Sequence, residues 1–135
     1  MKVILKGRCI SKGLAEGSAL VTSKPISFLG SIDPKTGIVV ERDNELKNQN
    51  IANKILIFPF GKGSTVGSYV LFQMKKLGTA PKAIINLEAE PIITIGAIIS
   101  SIPLIDKLDQ NPIEVIKTNN YVRVDAINGI VEVER

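Results

Sequence analysis

Residues able to do chemistry gather in one short stretch, Gly61-Lys62-Gly63-Ser64-Thr65-Val66-Gly67, between the apolar run "KILIFPF" and a helix-like pattern. A serine at a helix start is surrounded by backbone N–H groups that lack partners within the helix, and that end of the helix carries partial positive charge. Such a place accepts carboxylate or phosphate, and it favours a serine alkoxide that is otherwise inaccessible near neutral pH. Lys62 adds charge from close by, and Gly61 and Gly63 permit ligand approach denied to residues with a Cβ. The same residues also fit a plainer reading, in which Ser64 caps the helix and the glycines serve the turn.

Better-known motifs fail at this position. A phosphate-binding P-loop needs G-x-x-x-x-G-K-S/T, but Leu56 stands where its first glycine belongs, and Gly63 follows Lys62. The dinucleotide fingerprint G-x-G-x-x-G places its third glycine one residue before Gly67. The nucleophile elbow G-x-S-x-G lacks its second glycine, and a Ser-His-Asp triad is impossible in a chain with no histidine. Glu88 and Glu90 in "NLEAEP" form a conceivable acid–base pair, but acids just before a helix more often face its dipole. Asp33 in "SIDPKTG" reads as a turn residue. On residue types alone, the stretch is an anion-binding turn.

The elements that must position this turn are mostly strands at the two ends of the chain. "VILKGRCI" and "SALVTS" are strand-like, "DPKTG" is a turn before the β-branched run Ile38 to Val40, and "NKILIFPF" reads as a strand covered on both faces. The spacing predicts a helix from Ser64 to Leu77, with Val66, Tyr69, Val70, Gln73, Met74 and Leu77 on one face and Gly78 as its stop. "KAIINLE" is a further buried strand. "PIITIGAII" is read as a short helix starting at Pro91, and "IPLIDKL" returns as a strand. The end, "YVRVDAINGIVEVE", alternates as a hairpin turning near Asn128-Gly129. The result is a mixed α/β unit, strand-rich at its ends around a central β-α-β-α portion.

Bulk properties narrow the function. The chain has 135 residues, of which 44% are hydrophobic, and it fits one domain with a single buried core. Its net charge of +4 comes from scattered lysines and arginines rather than a basic run, and its aromatic content is only 4%, so nucleic acid is not the expected partner. A mildly basic surface suits an anionic small molecule or an acidic protein. "PIITIGAIISSIP" is too short for a bilayer and the start carries no signal-peptide pattern, so the expected location is cytoplasmic, with no membrane partner. Without histidine, and with Cys9 alone, the usual zinc and iron–sulfur ligand sets cannot be assembled. Cys9, in a strand, reads as a small buried residue.

The segments "PISFLGSIDPKTGIVVERDNEL" and "ILIFPFGKGSTVGSYVLFQMKKLGTAPKAIINLEAEPIITIGAIISSIPLID" resemble the small subunit of the aconitase X group, over most of the chain. The ordered combination G-R/K-G-S-x-x-G-S, then G-x-A-P-x-A-I-I, then G-A-I-I carries the likeness. The resemblance implies a swivelling β/β/α domain over residues 1–135, strand-rich with two central helices, of the kind that closes over aconitase-like active sites. It implies a separate large subunit bearing a 4Fe-4S cluster with an open iron site, in a heterodimer or larger assembly. No cofactor would be bound by this chain alone. The archaeal members dehydrate (R)-5-phosphomevalonate to trans-anhydromevalonate 5-phosphate in a mevalonate route to isoprenoids. By match to the family segment, Ser64 is implied as the proton acceptor, with Lys62, Gly63 and Thr65 as substrate-binding residues. An open iron would assist loss of hydroxide while Ser64 takes the proton from carbon.

Two other functions stay open at this level. One is a small subunit of cis-3-hydroxy-L-proline dehydratase, and the other is a non-catalytic module that binds an anion or protein at the same helix end. Many relatives read "GRGSCTGS", whereas this chain has Lys62 for arginine and Thr65-Val66 for Cys-Thr. Lysine offers a point charge without the bidentate fork of arginine. The His-Pro pair that often follows "DPKTG" in the group is also absent.

Overall fold

The computed structural model describes residues 1–135. Its strands are β1 (Lys2–Lys6), β2 (Arg8–Ser11), β3 (Leu14–Val21), β4 (Ile55–Ile57), β5 (Ala83–Ile85), β6 (Leu104–Asp106), β7 (Tyr121–Asp125) and β8 (Ile130–Glu134). The helices are α1 (Gly67–Leu77), α2 (Pro91–Ile99) and the single turn α3 (Pro112–Val115). The spatial order is β1-β8-β7-β3-β4-β5-β6-β2. The run β3-β4-β5-β6 is parallel, flanked by antiparallel β1-β8-β7 on one side and antiparallel β2 on the other. The chain passes from β1 to β2 through Gly7 alone, so the two ends of this order are covalent neighbours and the sheet folds back on itself.

Period-two alternation turns this sheet into layers. Leu20, Leu56, Ile84 and Leu104 join one buried cluster of 17 residues, while Ala19, Ile55, Ile57, Ala83, Ile85 and Ile105 join another of 13. The smaller cluster is completed by Leu5 of β1, Val122, Val124, Ala126, Val131 and Val133 of the C-terminal hairpin, and Ile116 after α3. The larger one is completed by Leu71 and Met74 of α1, Ile93 and Ala97 of α2, apolar residues of segment 22–54, and Phe58, Ala80 and Ile102 from the loops. The parallel strands are thus buried on both faces, as their near-continuous apolar sequence predicts. The architecture is β/β/α.

Handedness explains why α1, α2 and segment 22–54 share one layer. The strands β3 to β6 pair in chain order, and right-handed crossovers between successive parallel strands put every connection on the same face. Both α1 and α2 are such connections, and so is segment 22–54. That segment packs Ile26, Phe28, Ile32, Val39, Leu46 and Ile51 beside them. The predicted run Ile38 to Val40 is therefore no ladder strand; it makes only isolated bridges, Ile32 with Val39 and Ile38 with Asn50.

Other expectations shift in detail. The helix predicted from Ser64 begins at Gly67, and it stops at Gly78 in the left-handed region at φ 80°. Its buried face is Gly67, Ser68, Leu71 and Met74, whereas Val66, Tyr69 and Leu77 are exposed. The reason is close helix packing: a Cβ on Gly96 of α2 would stand 3.1 Å from Leu71 Cδ2 and 3.2 Å from the Ser68 Cα, so the face of Gly67, Ser68, Leu71 and Met74 is the one turned to α2 and the sheet. Cys9 is half-buried rather than buried. The predicted α2 matches its structure, with Pro91 in the first turn.

Candidate functional site

The carboxyl ends of the four parallel strands lie along one edge. Here that edge carries Lys24 after β3, the Gly61–Thr65 turn after β4, Asn86 to Glu90 after β5, and Asp106 closing β6. Backbone bonds fix where the turn leaves the sheet. Phe58 donates its N–H to the Ile85 carbonyl, and the Pro59 carbonyl accepts from Leu87 at 2.9 Å. The buried Asn86 amide donates to the Phe58 carbonyl at 3.0 Å. Lys62 then donates its N–H to the Ile26 carbonyl, pinning the turn to segment 22–54.

Two glycines let the turn lie this deep. A Cβ on Gly61 would meet Ile93 Cγ1 at 2.4 Å and Glu90 Oε1 at 2.5 Å. Gly63 sits at φ 93°, and a Cβ there would stand 2.8 Å from Ser27 Oγ. Neither position admits a side chain without displacing its neighbours.

Ser64 and Thr65 are exposed, beyond these glycines. Ser64 Oγ accepts the Val66 N–H at 3.1 Å, and the Ser64 carbonyl accepts from Gly67 at 3.0 Å. Ser64 therefore caps the turn that precedes α1 rather than the helix itself, whose own cap position is Val66 with no side-chain bond. The N–H groups of Gly63, Ser64 and Thr65 donate to no group of the chain. Three successive unused donors beside a helix N-terminus form an electropositive cradle of the kind that binds anions. The bond from Val66 meets a lone pair of Oγ, so loss of the hydroxyl proton would strengthen it.

Lys62 does not turn toward Ser64. Its Nζ lies 2.6 Å from Glu41 Oε2, across a polar cleft of about 410 Å³ lined by Lys24, Pro25, Glu41, Arg42, Asp43 and Lys62. Partial burial pushes the Glu41 carboxyl up, but Lys62, Asn44 and Ser31 outweigh it and hold it below the ordinary carboxylate value. Of the predicted group, Gly63, Ser64 and Thr65 thus keep unused N–H groups, while the Lys62 side chain is bound to Glu41. Glu41 carried no signal in the sequence, because only the fold of segment 22–54 brings it to Lys62.

The remaining acids have structural duties. Glu90 is the cap of α2, accepting from Ile92 at 3.0 Å and Ile93 at 2.6 Å. Glu88 is exposed, 3.9 Å from Lys107. Asp33 accepts the Lys35 N–H at 3.0 Å within its turn. Asp106 is fully buried, bound by the Arg8 fork at 2.9 and 2.8 Å and by the Ala89 N–H at 2.8 Å. Burial raises its pKa, yet Arg8 and Ala89 prevail and hold it below the ordinary value. No three of its Cys, Asp or Glu residues are grouped to hold a metal ion, so the donor set of this chain does not fit an iron–sulfur cluster. No helix is long and apolar enough to cross a membrane. On either side of Ser64 in the chain, Phe60, Val66 and Tyr69 expose large apolar surfaces.

Comparison with known proteins gives one answer. Residues 4–133 match the family described as the aconitase X swivel domain. The chain is 59% identical over 128 residues to the phosphomevalonate dehydratase small subunit of Methanosarcina acetivorans, covering 95% of this chain and 89% of that one. It is 55% identical over 129 residues to the protein of the same name from Thermococcus kodakarensis, covering 96% and 95%. Its fold superposes on the crystal structure of Thermococcus kodakaraensis aconitase X in its holo-form with a TM-score of 0.93 at 53% identity, over 98% of this chain and 99% of that one.

Proposed function

The chain belongs to the aconitase X swivel domain family, and from that premise we propose that it is the small subunit of a cytoplasmic phosphomevalonate dehydratase. In this reading it acts with a large subunit to convert (R)-5-phosphomevalonate to trans-anhydromevalonate 5-phosphate. Relatives 50–59% identical over nearly the whole chain carry that name, and the exposed cradle at Ser64 is the observation that carries the mechanism.

Dehydration of a 3-hydroxy acid removes a weakly acidic proton from C2 and a hydroxide from C3. The cluster implied by the family would be held by the large subunit, since the donors of this chain do not fit it. What the chain supplies is the base. Ser64 Oγ takes the C2 proton as alkoxide, held by the Val66 N–H at 3.1 Å and by the positive end of α1. The unused N–H groups of Gly63 and Thr65 orient an anionic oxygen of the substrate, and Lys62 attracts its charge across the cleft.

An alkoxide needs a pocket drier than the surface on which Ser64 stands. The large subunit closes over the turn, and the exposed Phe60, Val66 and Tyr69 give it apolar surface to cover. The whole chain, 1–135, moves as one swivelling domain in this closure.

The test is reconstitution. Mixed anaerobically with the large subunit, the wild-type chain should restore dehydration of (R)-5-phosphomevalonate and leave cis-3-hydroxy-L-proline untouched. Turnover of the proline instead, or of neither compound, overturns the assignment.

A further inference from the structure

Glu41 lies on the segment between β3 and β4, outside the Gly61–Thr65 turn, and has no role in the chemistry described above. Three observations single it out. First, its carboxylate holds Lys62 Nζ at 2.6 Å, and that lysine side chain is otherwise 46% exposed. Second, both ends of the contact are fixed by backbone bonds: the Glu41 N–H donates to the Ser31 carbonyl, and the Lys62 N–H to the Ile26 carbonyl. Third, unused donors lie beside the carboxylate. Asn44 is 4% exposed, and its Nδ2 has no hydrogen-bond partner. The Ser31 hydroxyl accepts from the Ser27 N–H at 3.0 Å and keeps its own proton free to donate.

A buried amide donor left unpaired is costly, and a fold that tolerates one near a carboxylate has reserved a partner for it. Asn44 and Ser31 already lie close enough to favour the charged form of Glu41. These two donors are the groups left to the carboxylate when Lys62 leaves it. Lys62 would then present its full charge to the cleft, where Lys24 and Arg42 stand on the walls with Asp43 as the other acid.

We propose that Glu41 is a positioning residue that parks Lys62 and yields it to the phosphate group of the substrate, falling back on the Ser31 hydroxyl and the Asn44 amide. The inference rests on the reading that Lys62 meets an anionic substrate. A phosphate monoester dianion carries enough charge to replace a single carboxylate, and the two donors waiting for Glu41 lower the cost of the exchange. Glu41 thereby acts as an internal competitor, weakening phosphate binding and easing release of the phosphorylated product.

The decisive experiment titrates the full chain with inorganic phosphate, following the backbone amide signals of residues 41–44 and 61–65 by NMR. Glu41→Gln should bind phosphate about two- to five-fold more tightly than wild type, the size expected for loss of an exposed ion pair. Adding Lys62→Met should abolish the gain. In the two-subunit enzyme, Glu41→Gln should lower KM for the phosphorylated substrate by the same factor without raising kcat, a split that a loss of folding would not produce. Unchanged or weaker phosphate binding in Glu41→Gln overturns the proposal. An inactive wild-type complex would instead count against the enzymatic assignment, and the phosphate titration would still decide the role of Glu41.

Discussion

Replacing Ser64 by alanine separates catalysis from structure at this turn. The side chain is exposed and makes one hydrogen bond, from the Val66 N–H at 3.1 Å, so its removal opens no cavity. Loss of one such turn-capping bond costs about 1 kcal/mol or less. For a chain of this size that is a fall in Tm of about 2–5 °C. Loss of a general base costs far more, about a hundred- to ten-thousand-fold in kcat. The assay is dehydration by the reconstituted two-subunit enzyme, paired with exchange of the substrate C2 hydrogen into heavy water. Ser64→Ala should assemble with its partner, melt within a few degrees of wild type, and lose turnover and exchange together. A variant that retains more than about a tenth of the wild-type rate has kept its base, and the role of Ser64 would be refuted.

Further outcomes follow from the same geometry. Gly63→Ala must adopt φ 93° and crowd Ser27 Oγ, so it should lose about 1–3 kcal/mol in chemical denaturation, with activity falling further. Glu90→Ala removes the cap of α2 and should cost about 1 kcal/mol by the same measurement. Asp106→Asn breaks a buried carboxylate from Arg8 and Ala89 and should cost about 3 kcal/mol at neutral pH. The folded Asp106 carboxyl titrates below its ordinary value. Its contribution is therefore complete above about pH 4 and is lost as the pH falls through the folded value. The Tm gap between wild type and Asp106→Asn should accordingly narrow in acid.

The strands were legible because alternation and apolar runs report burial directly. "NKILIFPF", "KAIINLE" and "IPLIDKL" each contain a parallel strand, and "YVRVDAINGIVEVE" is the hairpin it reads as. Pro91 and Gly78 marked a helix start and stop through their own backbone limits. Where reading failed, the cause was tertiary. The face of α1 was misjudged because Gly96 of α2 approaches it at Ser68 and Leu71, and the periodicity of the bulky residues does not report that approach. Ile38 to Val40 has strand composition, but the right-handed crossover commits its segment to the helical layer.

The site divides along the same line. Gly63, Ser64 and Thr65 are adjacent in sequence, so their grouping at one turn was visible as a motif. That Ser64 caps a preceding turn, and not the helix, depends on α1 starting three residues late. The partnership of Lys62 with Glu41 joins residues 21 positions apart and exists only once segment 22–54 has folded over β4.

The central claim is that an oxygen of this chain removes hydrogen from the substrate carbon. Its most direct test is a structure of the two-subunit complex with bound substrate, read for the distance from Ser64 Oγ to C2. The account predicts a near-attack separation of about 3–3.5 Å, with the Val66 N–H still directed at the oxygen. A C2 lying beyond reach of Ser64, against a base of the large subunit, would contradict it.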